Sequence, residues 1–346
     1  MRSASLRRSP TRRQILAGTT GAFVATVGSR VIQPAMAHDA SPAASPNVQP
    51  DMTGAVHRFQ IGSFACLNVS DGASISPDTA GLLFAGSPPE QVAEALGSTG
   101  TDPTTLANHH TSTVIDTGDH LVLVDTGFGP GVSPTDGLLP GNLQAEGIAA
   151  GDIDLVIITH GHGDHIGGNI DADGNPAYPN ARYVMSQEDW DFWTDRPRVE
   201  EAIPIPDFRD LLLGFVERQL LPLADRIELI GYGEEIVPGI TSIAAQGHTP
   251  GHMALLVQSD DEQLWIAGDV ALHPINLPFP DLIGLPDVEP ERMIETRKRL
   301  LGRMAGEGGF ATFYHFEPFP GLGHIVAQGE TWQWEPVMDG PATPAS

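Results

Sequence analysis

One cysteine, Cys66, stands in 346 residues. A lone thiol excludes an intrachain disulfide framework. Within the apolar run Phe64-Ala65-Cys66-Leu67 it reads as a small core residue rather than a nucleophile. Positive charge is scarce too. Lys298 is the only lysine, and 18 basic residues face 44 acids, a net charge of -26. That balance argues against nucleic acid and anionic membrane as partners, because both need a basic surface. Long apolar runs are also missing. None reaches the ~20 residues of a membrane span, apart from a marginal run near the N-terminus. The chain as a whole is 40% hydrophobic, enough for a sizeable globular core.

The N-terminus has its own character. Arg12-Arg13 precedes a weakly apolar segment over 15–27, and Ala35-Met36-Ala37 offers a small-x-small cleavage site. This resembles a twin-arginine export signal over 1–37, a route that carries folded proteins to the periplasm or beyond. Cleavage would leave 12 basic and 44 acidic residues, hence a net charge of -32. Residues 38–55, rich in Ala, Ser and Pro, read as a flexible linker. A folded domain is expected over 56–346, without internal repeats.

Short β-rich runs bounded by Gly, Asp or Asn predict strands at 58–61, 64–69, 112–116, 121–124, 155–159 and 182–185. Others are expected at 227–230, 240–244, 253–258, 263–267 and 311–314. Ser186 can cap a helix over 187–193, with Glu188 and Asp189 in its first turn. A longer helix starts after Asp287, with Pro290 in its first turn. Met293, Ile294, Arg297, Leu300, Leu301 and Met304 form its mainly apolar stripe, which reads as core packing. Residues 205–221 are also expected to be helical. Strands in runs with few helices between them predict an α+β fold, an αββα sandwich.

The densest chemistry lies at Thr159-His160-Gly161-His162-Gly163-Asp164-His165, straight after the apolar run Leu155-Val156-Ile157-Ile158. Imidazole and carboxylate are the ligands of zinc and similar divalent ions. Alternate residues of an extended segment point the same way, so His160 and His162 can reach one ion. Asp164 and His165 can turn toward a second. Further donors sit at strand ends: His248 and His252 in Gly247-His248-Thr249-Pro250-Gly251-His252, Asp269 in Ala267-Gly268-Asp269, His315 in Phe313-Tyr314-His315, and Asp125 in Asp125-Thr126-Gly127.

These five motifs, in this order, resemble the metallo-β-lactamase-fold hydrolase superfamily from about residue 56 to 337. The resemblance implies a dinuclear site at one edge of the sandwich. One ion would take His160, His162 and His248; the second would take Asp164, His165 and His315; Asp269 would bridge them. Two ions roughly 3.5–4 Å apart would share a water and lower its pKa, giving a hydroxide nucleophile. Asp164 and Asp269 are then the catalytic carboxylates, with Asp164 a candidate proton acceptor. Zinc is the first expectation for the metal, and Mn, Co and Fe suit the same donors. Asp125 is implied as a support for the metal loop. His252, His273 and His324 are candidates for ligand support or pocket lining. His324 competes with His315 for the sixth histidine-type position; His315 is preferred because it ends a strand. Glu317 lengthens the spacing between His315 and Pro318-Phe319-Pro320-Gly321, which bears on that choice. His109 and His110 precede a predicted strand and read as surface residues first, with pocket lining the alternative.

Within the superfamily the chain is most similar to the branch of methyl-parathion-hydrolase-like phosphotriesterases and quorum-quenching lactonases. Val69-Ser70-Asp71-Gly72, Gly268-Asp269-Val270, Glu295-Thr296-Arg297 and Phe319-Pro320-Gly321-Leu322-Gly323-His324 carry that similarity. It implies attack on a lactone, ester or phosphotriester, and a small-molecule substrate. Relatives in the branch often form homodimers. Asp269 argues against a true metallo-β-lactamase, and the lack of basic residues argues against a glyoxalase-II-like thioesterase. A non-catalytic metal-binding protein of the periplasm is the third alternative. Trp190, Phe192, Trp193, Phe84 and Phe279 are candidate walls of an apolar pocket, or else core residues.

Overall fold

The computed structural model describes residues 55–75 and 79–337. The expected export signal over 1–37 lies outside the described residues, as does the expected linker over 38–55 except for Ala55.

Two seven-stranded sheets carry the architecture. The first holds β1 (Val56–Ile61), β2 (Phe64–Ile75), β3 (Ala107–Asp116), β4 (Leu121–Val124), β5 (Leu155–Ile157), β6 (Arg182–Ser186) and β7 (Ile227–Ile230), neighbours in that order. The second holds β8 (Glu235–Val237), β9 (Ile240–Ala244), β10 (Met253–Ser259), β11 (Glu262–Ile266), β12 (Phe310–Thr312), β13 (Leu322–Gln328) and β14 (Thr331–Pro336), likewise in chain order. Strands β4 to β7 pair in parallel, as do β11 and β12. Parallel neighbours need crossovers, and helices supply them. Between β2 and β3 lie α1 (Thr79–Phe84) and α2 (Pro89–Thr99); α3 (Leu139–Ala145) precedes β5 and α4 (Gly163–Ile166) follows it. Between β6 and β7 lie α5 (Gln187–Thr194), α6 (Arg196–Ala202) and α7 (Pro206–Phe215); α8 (Pro290–Glu307) joins β11 to β12.

The periodicity of the strands sorts side chains into layers. Val122, Val124, Leu155 and Ile157 of the first sheet meet Leu255, Val257, Leu264 and Ile266 of the second in the central core. Their alternates Leu123, Val156, Tyr183 and Met185 pack instead under helices α5 to α7. Met293, Leu300, Leu301 and Met304 of α8 cover Trp265 on the far side of the second sheet. The αββα sandwich is therefore the observed fold. The run from Leu155 to Ile158 is apolar throughout because both faces of its strand are covered.

Ser186 caps α5 as expected, its hydroxyl accepting from Asp189 N. Several elements differ from the sequence expectation. β3 starts at Ala107 and β2 runs on to Ile75, so His109 and His110 lie inside a strand. The helix expected over 205–221 is α7 followed by a π turn over Val216–Leu220. Strands β8, β13 and β14 and helices α1 to α4 and α6 were not foreseen. In β14, Thr331-Trp332-Gln333-Trp334-Glu335 alternates polar and apolar residues, so the strand period was present in the sequence.

Candidate metal centre

The loops after β4, β5, β9, β11 and β12 converge where the two sheets meet. Backbone bonds tie the sheets there: Met253 N donates to Thr159 O at 3.0 Å and Thr111 N to Tyr314 O at 3.1 Å. The β5 loop is shaped by its glycines. A Cβ on Gly161 would lie 2.5 Å from the Trp193 ring, so only glycine lets the loop settle on that indole. Helix α4 then carries Asp164 and His165, and the His165 ring stands 4.0 Å from that of His160.

Two donor groups result. His160 Nε2 lies 3.0 Å from His162 Nδ1, which lies 2.9 Å from His248 Nε2. In the second group, Asp164 Oδ2 is 3.5 Å from His165 Nε2 and 3.3 Å from His315 Nε2. The Asp269 carboxylate stands between them. Its Oδ2 is 3.1 Å from both His248 Nε2 and His315 Nε2, and its Oδ1 is 3.4 Å from His165 Nε2. Donors bound ~2.1 Å from one tetrahedral ion stand about 3.4 Å apart, so these spacings suit shared cations. His165 Nε2 and Asp269 Oδ1, both among the converging donor atoms, are buried with no hydrogen-bond partner. Buried polar atoms are normally paired. A dinuclear site therefore fits the residues present.

The imidazoles are aimed from behind. Asp125, held at φ 60°, accepts from Thr159 N, from Thr159 Oγ1 and from His165 Nδ1–H, each at 2.8 Å. Asp287, just before α8, accepts a hydrogen bond from His248 Nδ1–H at 2.8 Å. His315 Nδ1 donates to His109 O at 2.7 Å. Each contact fixes a tautomer and leaves Nε2 free for a metal. Tyr314 Oη donates to Asp164 O at 2.6 Å and its ring lies 4.0 Å from that of His165. Gly268, at φ +53°, admits His252, whose Nε2 accepts from Asp269 N at 3.1 Å.

One further carboxylate holds the two halves of the first donor group together. Asp189 of α5 is wholly buried. It accepts from Gly161 N at 2.7 Å, Trp193 Nε1 at 3.1 Å, Gly251 N at 3.2 Å and the Thr249 hydroxyl. Burial pushes its carboxyl up to about 6 against the pull of those donors.

Electrostatics follow burial and charge. Burial disfavours the charged form of His248, yet Asp269 and then Asp287 outweigh it and raise the group to about 9. Burial likewise opposes a charged His165, but Asp269, Asp164 and Asp125 lift it well above the usual histidine range. Burial would raise Asp269; His315, His165 and His248 hold it well below the usual carboxylate range instead. Burial depresses His160 and His162.

All seven residues expected as ligands, His160, His162, Asp164, His165, His248, Asp269 and His315, meet at this one place, with Asp125 and His252 behind them. His324 does not: it is exposed, with Nδ1 donating to Gly309 O at 2.8 Å and its ring 4.6 Å from that of Phe310. In β13 it points away from the site, which corrects its candidacy. His273 pairs with Glu317 at 2.9 Å, so the residue that lengthens the His315 segment has a partner of its own. Trp190 is half-buried against the core under the helices. Trp193 is enclosed, its ring 5.4 Å from that of His162, and backs the metal loop rather than facing a pocket. Phe192 and Phe84 are core residues. The surface expectation for His110 is wrong. It is fully buried, in contact with Asp136 and near His315. Asp287, Asp189, Asp136 and Tyr314 escaped sequence reasoning, since nothing local marks them.

A sequence profile of the metallo-beta-lactamase superfamily matches residues 106–318. The N-acyl homoserine lactonase AiiA of Bacillus thuringiensis subsp. kurstaki is 23% identical over 207 residues, 54% of this chain and 73% of its own length. Among solved structures, AidC, a dizinc quorum-quenching lactonase, superposes with a TM-score of 0.72 at 22% identity, covering 81% of this chain and 97% of that one. The hydrolase AbOPH of the beta lactamase superfamily superposes with a TM-score of 0.74 at 26% identity, covering 83% and 98%. Fold and donor set together define a metal-dependent hydrolase. The chain belongs to the metallo-beta-lactamase superfamily.

Proposed function

We propose that this hydrolase opens lactones, of the acyl-homoserine type first, with two divalent ions held by the donor groups described. The observation that carries the reading is Asp269, whose two oxygens face His248 and His315 on one side and His165 on the other. A closed structural cage would have no use for such a bridge. His160, His162 and His248 would hold one ion; Asp164, His165 and His315 the other. Zinc is proposed first, in line with the dizinc AidC. Bound there, such ions lower the pKa of water and polarise a carbonyl.

The protein's own part is positional. Asp125 and Asp287 keep His165 and His248 in the Nδ1–H tautomer. The Asp164 oxygen not committed to the donor group would take the proton that the attacking water gives up. The same oxygen returns it to the alkoxide that leaves when the ring opens, so the product is a hydroxy acid. The lactonase named among the relatives supports this substrate class. We also propose that residues 1–37 direct export, which would put the enzyme where diffusible lactones pass.

The test compares hydrolysis of an acyl-homoserine lactone and an aryl dialkyl phosphotriester by the zinc- or manganese-loaded protein, with Asp269→Ala as control. A lactone rate far above the phosphotriester rate, lost in the variant, is expected. The reverse ratio replaces the lactone with a phosphotriester. No rate on either overturns the proposal and directs attention to thioesters and β-lactams.

A further inference from the structure

Among the described residues, three buried histidines donate an Nδ1–H hydrogen bond to a buried carboxylate. Two are His165 with Asp125 and His248 with Asp287, each at 2.8 Å. The third is His110 with Asp136, at 3.0 Å. That pairing is the usual support of a metal-binding imidazole, yet His110 belongs to neither donor group described above.

Its position is specific. His110 is fully buried in β3, with its ring edge-on to His315 at 5.5 Å and to Phe128 at 4.8 Å. One donor atom each from His110, Asp164 and His315 lie within 4.8 Å of one another. With Nδ1–H donated to Asp136, Nε2 carries the lone pair. Asn108 Nδ2, 3.2 Å away, donates to that lone pair here, so an ion would have to displace this side-chain amide. Asp136 is itself fixed, accepting from Ser74 Oγ at 3.3 Å and from the Ser133 hydroxyl. Two ligands on opposite sides of one ion with bonds of ~2.1 Å stand about 4.2 Å apart. A spacing of at most 4.8 Å therefore lies within a small side-chain shift of shared coordination.

We propose that His110 Nε2 is an additional ligand of the second ion, alongside Asp164, His165, His315 and Asp269. The inference rests on the dinuclear reading above. It gives the second ion five protein donors against four for the first. Higher coordination suits Mn, Co or Fe better than zinc, so the two positions would differ in metal preference.

The test uses chelator-stripped full-length protein titrated with cobalt(II). Visible absorption, chelator competition and a count of bound ions are the readouts. Wild type should take two ions. His110→Ala should weaken one of them at least about tenfold and alter its absorption while the other keeps its affinity. Asp136→Asn, which retains the imidazole, should weaken the same ion by less, and it decides the matter where circular dichroism shows His110→Ala unfolded. Wild-type affinities and spectra in both variants overturn this inference alone. So does equal weakening of both ions, which would assign His110 to packing. A wild type that holds one ion overturns it together with the dinuclear reading.

Discussion

Asp125 Oδ2 and His165 Nδ1 lie 2.8 Å apart although 40 residues separate them in sequence. Asp287 and His248 repeat the arrangement on the other donor group, at 2.8 Å and 39 residues. On the dinuclear reading proposed above, each carboxylate supports one ion, so the two should be separable. Asp125→Asn should weaken one ion about 10–100-fold and Asp287→Asn the other by a similar factor. Chelator competition on each variant reads this out. Loss of the same ion from both would show that the supports are not separable.

Asp189 carries a different kind of load. Four donors converge on it from the His160–His162 loop, the His248 loop and α5. Asparagine offers one acceptor oxygen and turns an NH2 group toward the remaining donors. An unsatisfied buried donor costs ~1–3 kcal/mol, so Asp189→Asn should destabilise the metal-free protein by about 2–4 kcal/mol in urea unfolding. The pH dependence has a definite sign. Burial raises this carboxyl from 3.8 to about 6. Its contribution is then full below the unfolded value and is lost as pH rises through about 6. The gap between wild type and variant should narrow over that window, and a widening gap would contradict the assignment.

How far the sequence spoke can be judged residue by residue. His160, His162, Asp164 and His165 were legible because they are contiguous, and a strand followed by a turn delivers them together. His248, Asp269 and His315 were legible as short motifs at predicted strand ends. Their partners were not. Asp287, Asp136 and Asp189 look like ordinary loop or helix acids, and only the tertiary fold brings them to an imidazole or a loop amide. His110 was misread because β3 begins five residues before the predicted start, and the inserted helices α1 and α2 hide that start. His324 rivalled His315 for want of a strand assignment. Once Leu322–Gln328 is a strand, its side chain falls on the exposed face.

Cys66 gives a check on the core that involves no metal. It is buried between the sheets, and burial pushes its thiol up to about 12. The thiolate is the reactive species. Native protein at pH 8 should therefore leave this thiol untouched by a disulfide reagent, and urea should expose one equivalent. Rapid labelling of the native protein would mean that the central core opens readily.

The last prediction concerns protons. In the ion-free protein His248 holds its proton up to about 9, and His165 is likewise raised, both chiefly by Asp269 against the cost of burial. A divalent ion must take the place of those protons, since only neutral imidazole binds metal. Near neutral pH each ion should then expel about one proton from its group. Below about 9 His248 is increasingly protonated, so affinity falls with falling pH and rises until that group is neutral. Each displaced proton makes the apparent affinity change about tenfold per pH unit. Calorimetric titration with zinc in two buffers of different ionisation enthalpy counts the protons released. Release of about two protons over both ions at pH 7 is expected. Asp287→Asn should reduce the number, because His248 loses one of the carboxylates that keep it charged. Release near zero in the wild type would mean that His165 and His248 are already neutral, and that Asp269 does not organise the site as its position implies.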